Sequence, residues 1–208
     1  MTGAEDPLSE EKVKPSIFLI CPTKNVSNSV SILIEEYIVK KEREGYHVYC
    51  PKCDTNPADA TGETYTCDIH RQVIENASRI DFWYDPSSEE IQFNLGIAFA
   101  LKKNIILANK DNDTGFVNPL HGGHFDFDNK RDVVFFSNTY RTLEDYKGMK
   151  VVNFRLDPGS KQHLFNFGMA FGLRKPILIT NIEEIRPTND DSFNNVLIAL
   201  DRQTRGKN

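Results

Sequence analysis

The sequence lacks any long hydrophobic run. No apolar stretch reaches the ~18 residues that a membrane-spanning helix needs. Residues 1–15 are acidic and polar, whereas a secretion signal would be apolar. We therefore expect a cytoplasmic protein without a membrane partner, in which residues 1–15 form a disordered leader.

The chain also lacks an excess of positive charge. Its 25 Lys and Arg residues are outnumbered by 30 Asp and Glu residues, and the formal net charge is −5. Binding to a phosphate backbone needs concentrated basic residues, so we expect no nucleic-acid partner. Serine-hydrolase elbows, P-loops and glycine-rich dinucleotide fingerprints are missing too, and we predict no cofactor.

Cysteine is scarce. Without a secretion signal, the four cysteines are predicted to be reduced thiols or metal ligands rather than disulfides. The spacing C-x2-C-x13-C-x2-H is compatible with zinc and involves Cys50, Cys53, Cys67 and His70. Cys50 ends a predicted strand, however, whereas Cys67 and His70 lie on a predicted helix. We favour ordinary thiols and predict no bound metal, with zinc as the alternative.

What the sequence does contain is a regular alternation of strand and helix signals. Short apolar runs bounded by Pro or Gly predict strands, and apolar residues at helical spacing predict helices. In chain order we predict a strand at 16–21, a helix at 27–44, a strand at 47–50, a loop at 52–66, a helix at 67–77, a strand at 80–84, a helix at 89–102 and a strand at 104–108. This alternation predicts an α/β fold with a mostly parallel sheet and helices on both faces. Ligands of such sheets bind at the carboxyl ends of the strands.

A soft boundary follows this first unit. Residues 110–131 are polar and rich in Asp, Asn, Gly and His, and a structureless stretch of this length is typical of a functional loop or a linker. We therefore divide the chain into a unit at 16–109, a loop or linker at 110–131 and a second unit at 132–208. The second unit is predicted to open with a strand at 132–138 and to end in an amphipathic helix at 192–203.

The second unit repeats part of the first. Residues 85–109 and 157–181 align without a gap at an offset of 72 residues, with identity at 12 of 25 positions. Such similarity indicates an internal duplication. Because the second unit has no counterpart of residues 27–79, we predict a truncated ββαβ copy. It either extends the same sheet or packs against the first copy as a pseudo-dimer.

Both copies contain Asp-Pro-x-Ser followed by a helix with Phe-Asn-x-Gly-x-Ala-Phe. The matched serines, Ser88 and Ser160, fall at a helix N-terminus, where backbone N–H groups favour anions. Helix capping alone and capping combined with a ligand contact are both open. Asn94 lies in an apolar helix, so its amide needs partners, either structural or on a ligand. The repeated glycines, Gly96 and Gly168, indicate close backbone packing.

Several motifs also occur in a set order. They are Pro22 after the first strand, Tyr49-Cys-Pro51, Asp54-Thr55-Asn56, Ala77-Ser-Arg-Ile-Asp81, and Phe93-Asn-Leu-Gly-Ile-Ala98 followed by Lys103. Over residues 16–109 this order resembles the nucleoside 2-deoxyribosyltransferase-like superfamily, including its nucleotide N-glycosidase branch. The resemblance implies a flavodoxin-like fold. It also implies cleavage of the N-glycosidic bond of a deoxynucleoside or its 5′-monophosphate.

The resemblance assigns roles to particular residues. The family's nucleophilic carboxylate corresponds to Asn94, and an amide cannot form the covalent glycosyl ester of two-step transfer. Ser88 resembles the serine of the branch that binds a 5′-phosphate. The implied ligand-binding residues are Pro22, Asp54, Thr55, Asn56, Ser88, Asn94 and Gly96, with Asp157, Ser160 and Asn166 as candidates in the second copy.

Three other carboxylates near the expected pocket, those of Asp85, Glu89 and Glu90, are the candidates for replacing the missing nucleophile as acid or base. Two functions follow from these features. The first is a nucleoside- or nucleotide-processing protein of the deoxyribosyltransferase or nucleoside 5′-monophosphate N-glycosidase type. The alternative is a non-catalytic nucleotide- or nucleoside-binding protein. The expected partner is a small nucleoside or nucleotide, with a homo-oligomer as a further possibility, since relatives commonly complete the site with a neighbouring subunit.

Overall fold

The structure is a computed structural model that describes residues 14–23, 26–54, 63–85, 88–109, 116–117, 143–157 and 159–184, with 199, 201–202 and 205–206 near the C-terminus. The first unit consists of β1 Ser16–Ile20, α1 Asn28–Arg43, β2 His47–Tyr49, α2 Pro51–Asp54, α3 Glu63–Asn76, β3 Arg79–Phe82, α4 Glu89–Ala100, β4 Ile105–Leu107 and β5 Phe116–Val117. The second unit consists of α5 Leu143–Lys147, β6 Val152–Phe154, α6 Lys161–Gly172 and β7 Ile177–Ile179.

The first unit is built around a five-stranded sheet in the order β2-β1-β3-β4-β5. The first four strands in this order are parallel, and β5 is antiparallel to β4. Strand residues alternate between the faces of a sheet. Ile17 accordingly packs in one core cluster with Ile34 of α1, whereas Phe18 packs in another with residues of α3 and α4. The α/β fold with a mostly parallel sheet is confirmed.

Two sequence expectations are wrong in detail. The predicted loop at 52–66 contains most of the short helix α2 and the first turns of α3, which begins at Glu63 and not at residue 67. The predicted loop at 110–131 contains β5, which pairs with β4. The predicted strand at 132–138 lies outside the described residues, as does most of the predicted helix at 192–203. No helix among the described residues is long and apolar enough to cross a membrane.

The second unit has its own sheet, in which β6 and β7 are parallel. In the described part of the chain this pair does not extend the five-stranded sheet. The two units meet instead through α4 and α6, which form the most extensive helix contact described. Of the two arrangements left open by the repeat, the packed pair is therefore the one observed.

The contact between α4 and α6 is reciprocal. A Cβ atom on Gly96 would lie 2.1 Å from the carbonyl oxygen of Phe165, and a Cβ atom on Gly168 would lie 2.1 Å from that of Phe93. Each residue of the first contact is matched, 72 positions away, by one of the second. The Phe93–Phe171 and Phe99–Phe165 ring pairs follow the same rule, both with centroids 5.5 Å apart. The helices thus meet in the self-complementary way of an isologous interface.

Candidate functional site

The carboxyl ends of β1, β2 and β3 bring most of the predicted ligand-binding segments to one edge of the sheet. Pro22 lies just after β1 and is buried, and Asp54 ends α2 after β2. Asp85, which is half-buried, and Ser88 lie between β3 and α4. Glu89 and Glu90 form the first turn of α4, but their side chains are outside the described part, as are Thr55 and Asn56. The strand order reverses between β1 and β3, the position where open α/β sheets bind ligands.

An amide clamp holds the carboxyl ends of β3 and β4 together. Asn109 Oδ1 accepts a hydrogen bond from the Tyr84 N–H at 3.0 Å, and Asn109 Nδ2 donates to the Tyr84 carbonyl at 2.8 Å. In the second unit, Asn181 makes the same pair of bonds to Leu156, both at 2.8 Å. The clamp is therefore part of the framework of each unit.

The side chain of Asp54 is engaged with the backbone. Its Oδ2 accepts a hydrogen bond from the Cys50 N–H at 2.6 Å, which fastens α2 to the end of β2. The carboxylate is otherwise exposed to solvent. Asp54 thus has a structural role in addition to any contact with a ligand.

The matched serines Ser88 and Ser160 are alike in sequence and different in bonding. Ser160 Oγ accepts from the His163 N–H at 3.4 Å and caps α6. Ser88 occupies the same position before α4, but its hydroxyl makes no capping hydrogen bond. The first-turn N–H groups of α4 are therefore not satisfied by this side chain, which leaves them and the Ser88 hydroxyl suited to an anionic group.

Asn94 is buried beside His70 of α3. Asn94 is 8% exposed, and its Oδ1 makes no well-aligned hydrogen bond with any described residue. Buried amide oxygens in folded proteins are nearly always bonded. The neighbouring imidazole also contacts Phe18 and Tyr49, with ring centroids 5.7 and 6.1 Å away. The helix that carries Asn94 thus holds a buried acceptor next to a cluster of aromatic side chains.

The same burial keeps His70 neutral. Loss of solvent lowers the pKa of His70 from 6.5 to about 4, and the Asn94 side chain opposes the shift. At neutral pH the imidazole is therefore uncharged, with one N–H donor and one acceptor nitrogen. A neutral donor–acceptor pair beside an amide is suited to binding hydroxyl groups.

Acidification should weaken the fold through His70. The unfolded chain gains a proton near pH 6.5 and the folded imidazole only near pH 4. The unfolded state therefore binds more protons within that window, and the stability present above it is lost as the pH falls. The loss amounts to about 3 kcal/mol. In urea unfolding at about pH 7.5 and about pH 4.5, His70→Gln should remove most of this loss, and His47→Gln at an exposed position should not. Unchanged pH dependence in His70→Gln would count against the assignment.

In the second copy, the candidate residues are largely bonded within their own turn. Asp157 Oδ1 accepts from the Gly159 N–H at 3.0 Å, and the Asp157 N–H donates to His163 Nδ1 at 2.9 Å. Asn166 is buried like Asn94, with an Oδ1 that has no hydrogen-bond partner among the described residues.

The zinc alternative is contradicted by the placement of its residues. Cys50 packs with Cys21 on the α1 face of the sheet, whereas Cys67 lies in the core on the opposite face. His70 contacts Phe18 on that opposite face as well. Among the described residues, no group of three or more His, Cys, Asp or Glu side chains is placed to hold a metal ion.

Two residues of α4, Gly96 and Gln92, differ from what the sequence predicts. The Cβ position of Gly96 is directed at the backbone of α6, so this glycine serves helix packing. Gln92 is fully buried, and neither of its amide atoms bonds to a described residue. Gln92 is not among the residues predicted from the sequence. The repeat does contain a signal for it, since the matching position is the apolar Leu164.

Comparisons with protein-family models, with curated proteins and with solved structures found no match.

Proposed function

We propose that this chain binds a nucleoside or a nucleoside 5′-monophosphate where β1, β3 and α4 meet, and does so without forming a covalent glycosyl intermediate. The observation that carries the proposal is the buried Oδ1 of Asn94, which lies beside the neutral His70 and makes no well-aligned hydrogen bond with a described residue. Sugar hydroxyl groups would supply the missing donor. In this proposal the first unit is flavodoxin-like, in keeping with its 2-1-3-4 strand order, and the second is its truncated duplicate.

The anionic end of the ligand has a matching position. The N-terminus of α4 carries the Ser88 hydroxyl, which is not used as a cap. Oriented N–H groups and the positive end of the helix dipole favour a phosphate there. Asn94 follows Ser88 by six residues on the same helix, so one ligand with a phosphate and a sugar could reach both.

The chemistry at position 94 favours binding over transfer. An amide cannot act as the carboxylate nucleophile. The buried carboxylates of the described residues, Asp81 and Asp201, are each engaged by an arginine, Arg79 and Arg205 respectively. Neither is available as a substitute.

Hydrolysis of the N-glycosidic bond is the second candidate. It is favoured by the position of Asp85 in the segment that joins β3 to α4, and of Glu89 and Glu90 in the first turn of α4. A carboxylate there could activate water directly, without a covalent step. This function predicts free base among the products.

Asn94→Ala should weaken binding at least about tenfold, since a hydrogen bond to a buried group is worth about 1.5 kcal/mol. Calorimetry against a panel of nucleosides and 5′-monophosphates measures the effect. Asn166→Ala is the matched control, because it removes an equally buried amide from the equivalent helix and should leave affinity unchanged. Equal losses in both variants would indicate a general effect on folding. Unchanged affinity in Asn94→Ala would remove the site.

Chromatography of the same mixtures separates the two candidate functions. Release of free base by the native chain would establish the hydrolase, and Asp85→Asn would then test its carboxylate. Binding without release supports the proposal. Release by Asn94→Glu alone would indicate that position 94 faces the sugar, as the family resemblance implies.

A further inference from the structure

A second cluster of reactive groups lies on the α1 face of the sheet. Cys21 follows β1 and Cys50 follows β2, and the two Sγ atoms are 3.6 Å apart. Both side chains are buried, with 3% and 1% of their surface exposed. Because successive strand residues alternate between faces, both point to the side that holds Ile17 and Val48. Two strand ends thus place two thiols in van der Waals contact.

We propose that Cys21 and Cys50 form a redox pair that closes to a disulfide when a peroxide oxidises Cys50. Formation of the disulfide requires the distance between the two Sγ atoms to shorten from 3.6 Å to roughly 2 Å. Rotation of two side chains on adjacent parallel strands can supply such a movement. The inference is independent of the proposed ligand site.

The environment of Cys50 makes it the attacking sulfur. The hydrogen bond from the Cys21 thiol lowers the pKa of Cys50 to about 6, against the effect of burial, with help from the Cys53 thiol and from the N–H groups of Lys52 and Cys53. The same bond, together with burial, raises the pKa of Cys21. At neutral pH the pair therefore holds one thiolate, on Cys50, and one thiol, on Cys21. The thiolate is the form that reacts with oxidants.

The reaction is balanced with hydrogen peroxide as the oxidant. The Cys50 thiolate attacks one peroxide oxygen, the O–O bond breaks, and the departing hydroxide takes a proton to become water. The product is a sulfenic acid on Cys50. The Cys21 sulfur then attacks the Cys50 sulfur, and the hydroxyl group leaves with the Cys21 proton as a second water. Two thiols and one peroxide give one disulfide and two waters.

Cys53 is the competing thiol. It is exposed and lies three residues after Cys50 on α2. Partial desolvation and the neighbouring Cys50 raise the pKa of Cys53 to about 11, so little of it is thiolate. Exposure therefore favours oxidation at Cys53, whereas thiolate character favours Cys50, and an experiment separates the two.

The full chain would be treated with hydrogen peroxide, alkylated, digested and mapped by mass spectrometry. We expect a Cys21–Cys50 disulfide with Cys67 still free, and Cys67→Ala should give the same product. In Cys21→Ala the Cys50 sulfenic acid has lost its partner, so its trapping by a dimedone probe should rise at least about tenfold over the native chain. A Cys50–Cys53 disulfide, oxidation confined to Cys53, or four thiols that stay free would each overturn the proposal. The disulfide map of the native chain tests the proposal even if a variant fails to fold.

Discussion

Gly96→Ala should lower the free energy of unfolding by about 2 kcal/mol. The added Cβ atom would lie 2.1 Å from the Phe165 carbonyl oxygen and 3.0 Å from the Met169 nitrogen. Both atoms are backbone, so relief requires α4 and α6 to move apart along their whole contact. Overpacking of a rigid core costs typically about 1–3 kcal/mol. It opposes a gain of about 1 kcal/mol that alanine would bring to an unhindered helix.

Urea unfolding of control variants distinguishes the steric cost of the helix contact from the gain in helix propensity. Gly168→Ala should cost as much as Gly96→Ala, because its Cβ would meet the Phe93 carbonyl oxygen at the same 2.1 Å. Gly148→Ala is the control, since a Cβ there meets nothing within 4 Å, and it should change stability by less than about 0.5 kcal/mol. Stabilisation by Gly96→Ala would mean that the helices are not in contact.

The strands were the easiest elements to predict. Runs such as Ser16–Ile20 are short, apolar and bounded by breakers. Three of the four parallel strands of the first sheet fall within predicted strands, and the fourth, β3, begins one residue earlier, at Arg79. The sequence does not predict the helix α2, because Pro51 also fits the end of the preceding strand. Proline is also favoured at the first position of a helix, where its missing N–H costs nothing. The same residue thus fits both interpretations.

The candidate site was predictable only in part. The apolar setting of Asn94 was visible in the sequence, and it indicated an amide in need of partners. Its neighbour His70 was not, because the facing register of α3 and α4 depends on packing between elements distant in sequence. Ser88 and Ser160 show the same limit, since matching local motifs give one serine that caps its helix and one that does not. The reciprocal glycine contact could not be predicted either, because the atoms closest to each glycine belong to the other unit.

Asp81→Ala should destabilise the first unit by about 3–5 kcal/mol. Asp81 lies on β3 and is fully buried, where its carboxylate accepts hydrogen bonds from Tyr37 Oη at 2.7 Å and from Arg79 Nε and Nη2 at 2.8 and 2.9 Å. Removing the carboxylate leaves a phenol without its acceptor and a guanidinium without its counter-charge. The Arg79 side chain is only 20% exposed, so water replaces the lost bonds incompletely.

A double replacement tests whether the uncompensated charge of Arg79 causes the loss of stability. Arg79→Met in the Asp81→Ala background removes the uncompensated charge, so the double variant should be more stable than Asp81→Ala alone. Glu144→Gln provides the contrast, since its bond to Lys147 is exposed and its loss should change the free energy of unfolding by less than about 1 kcal/mol. Denaturant unfolding of the native chain and the three variants measures all three comparisons. If the second replacement lowered stability further, the stacking of Arg79 over the Tyr46 ring, 4.6 Å from its centroid, would outweigh the cost of the buried charge.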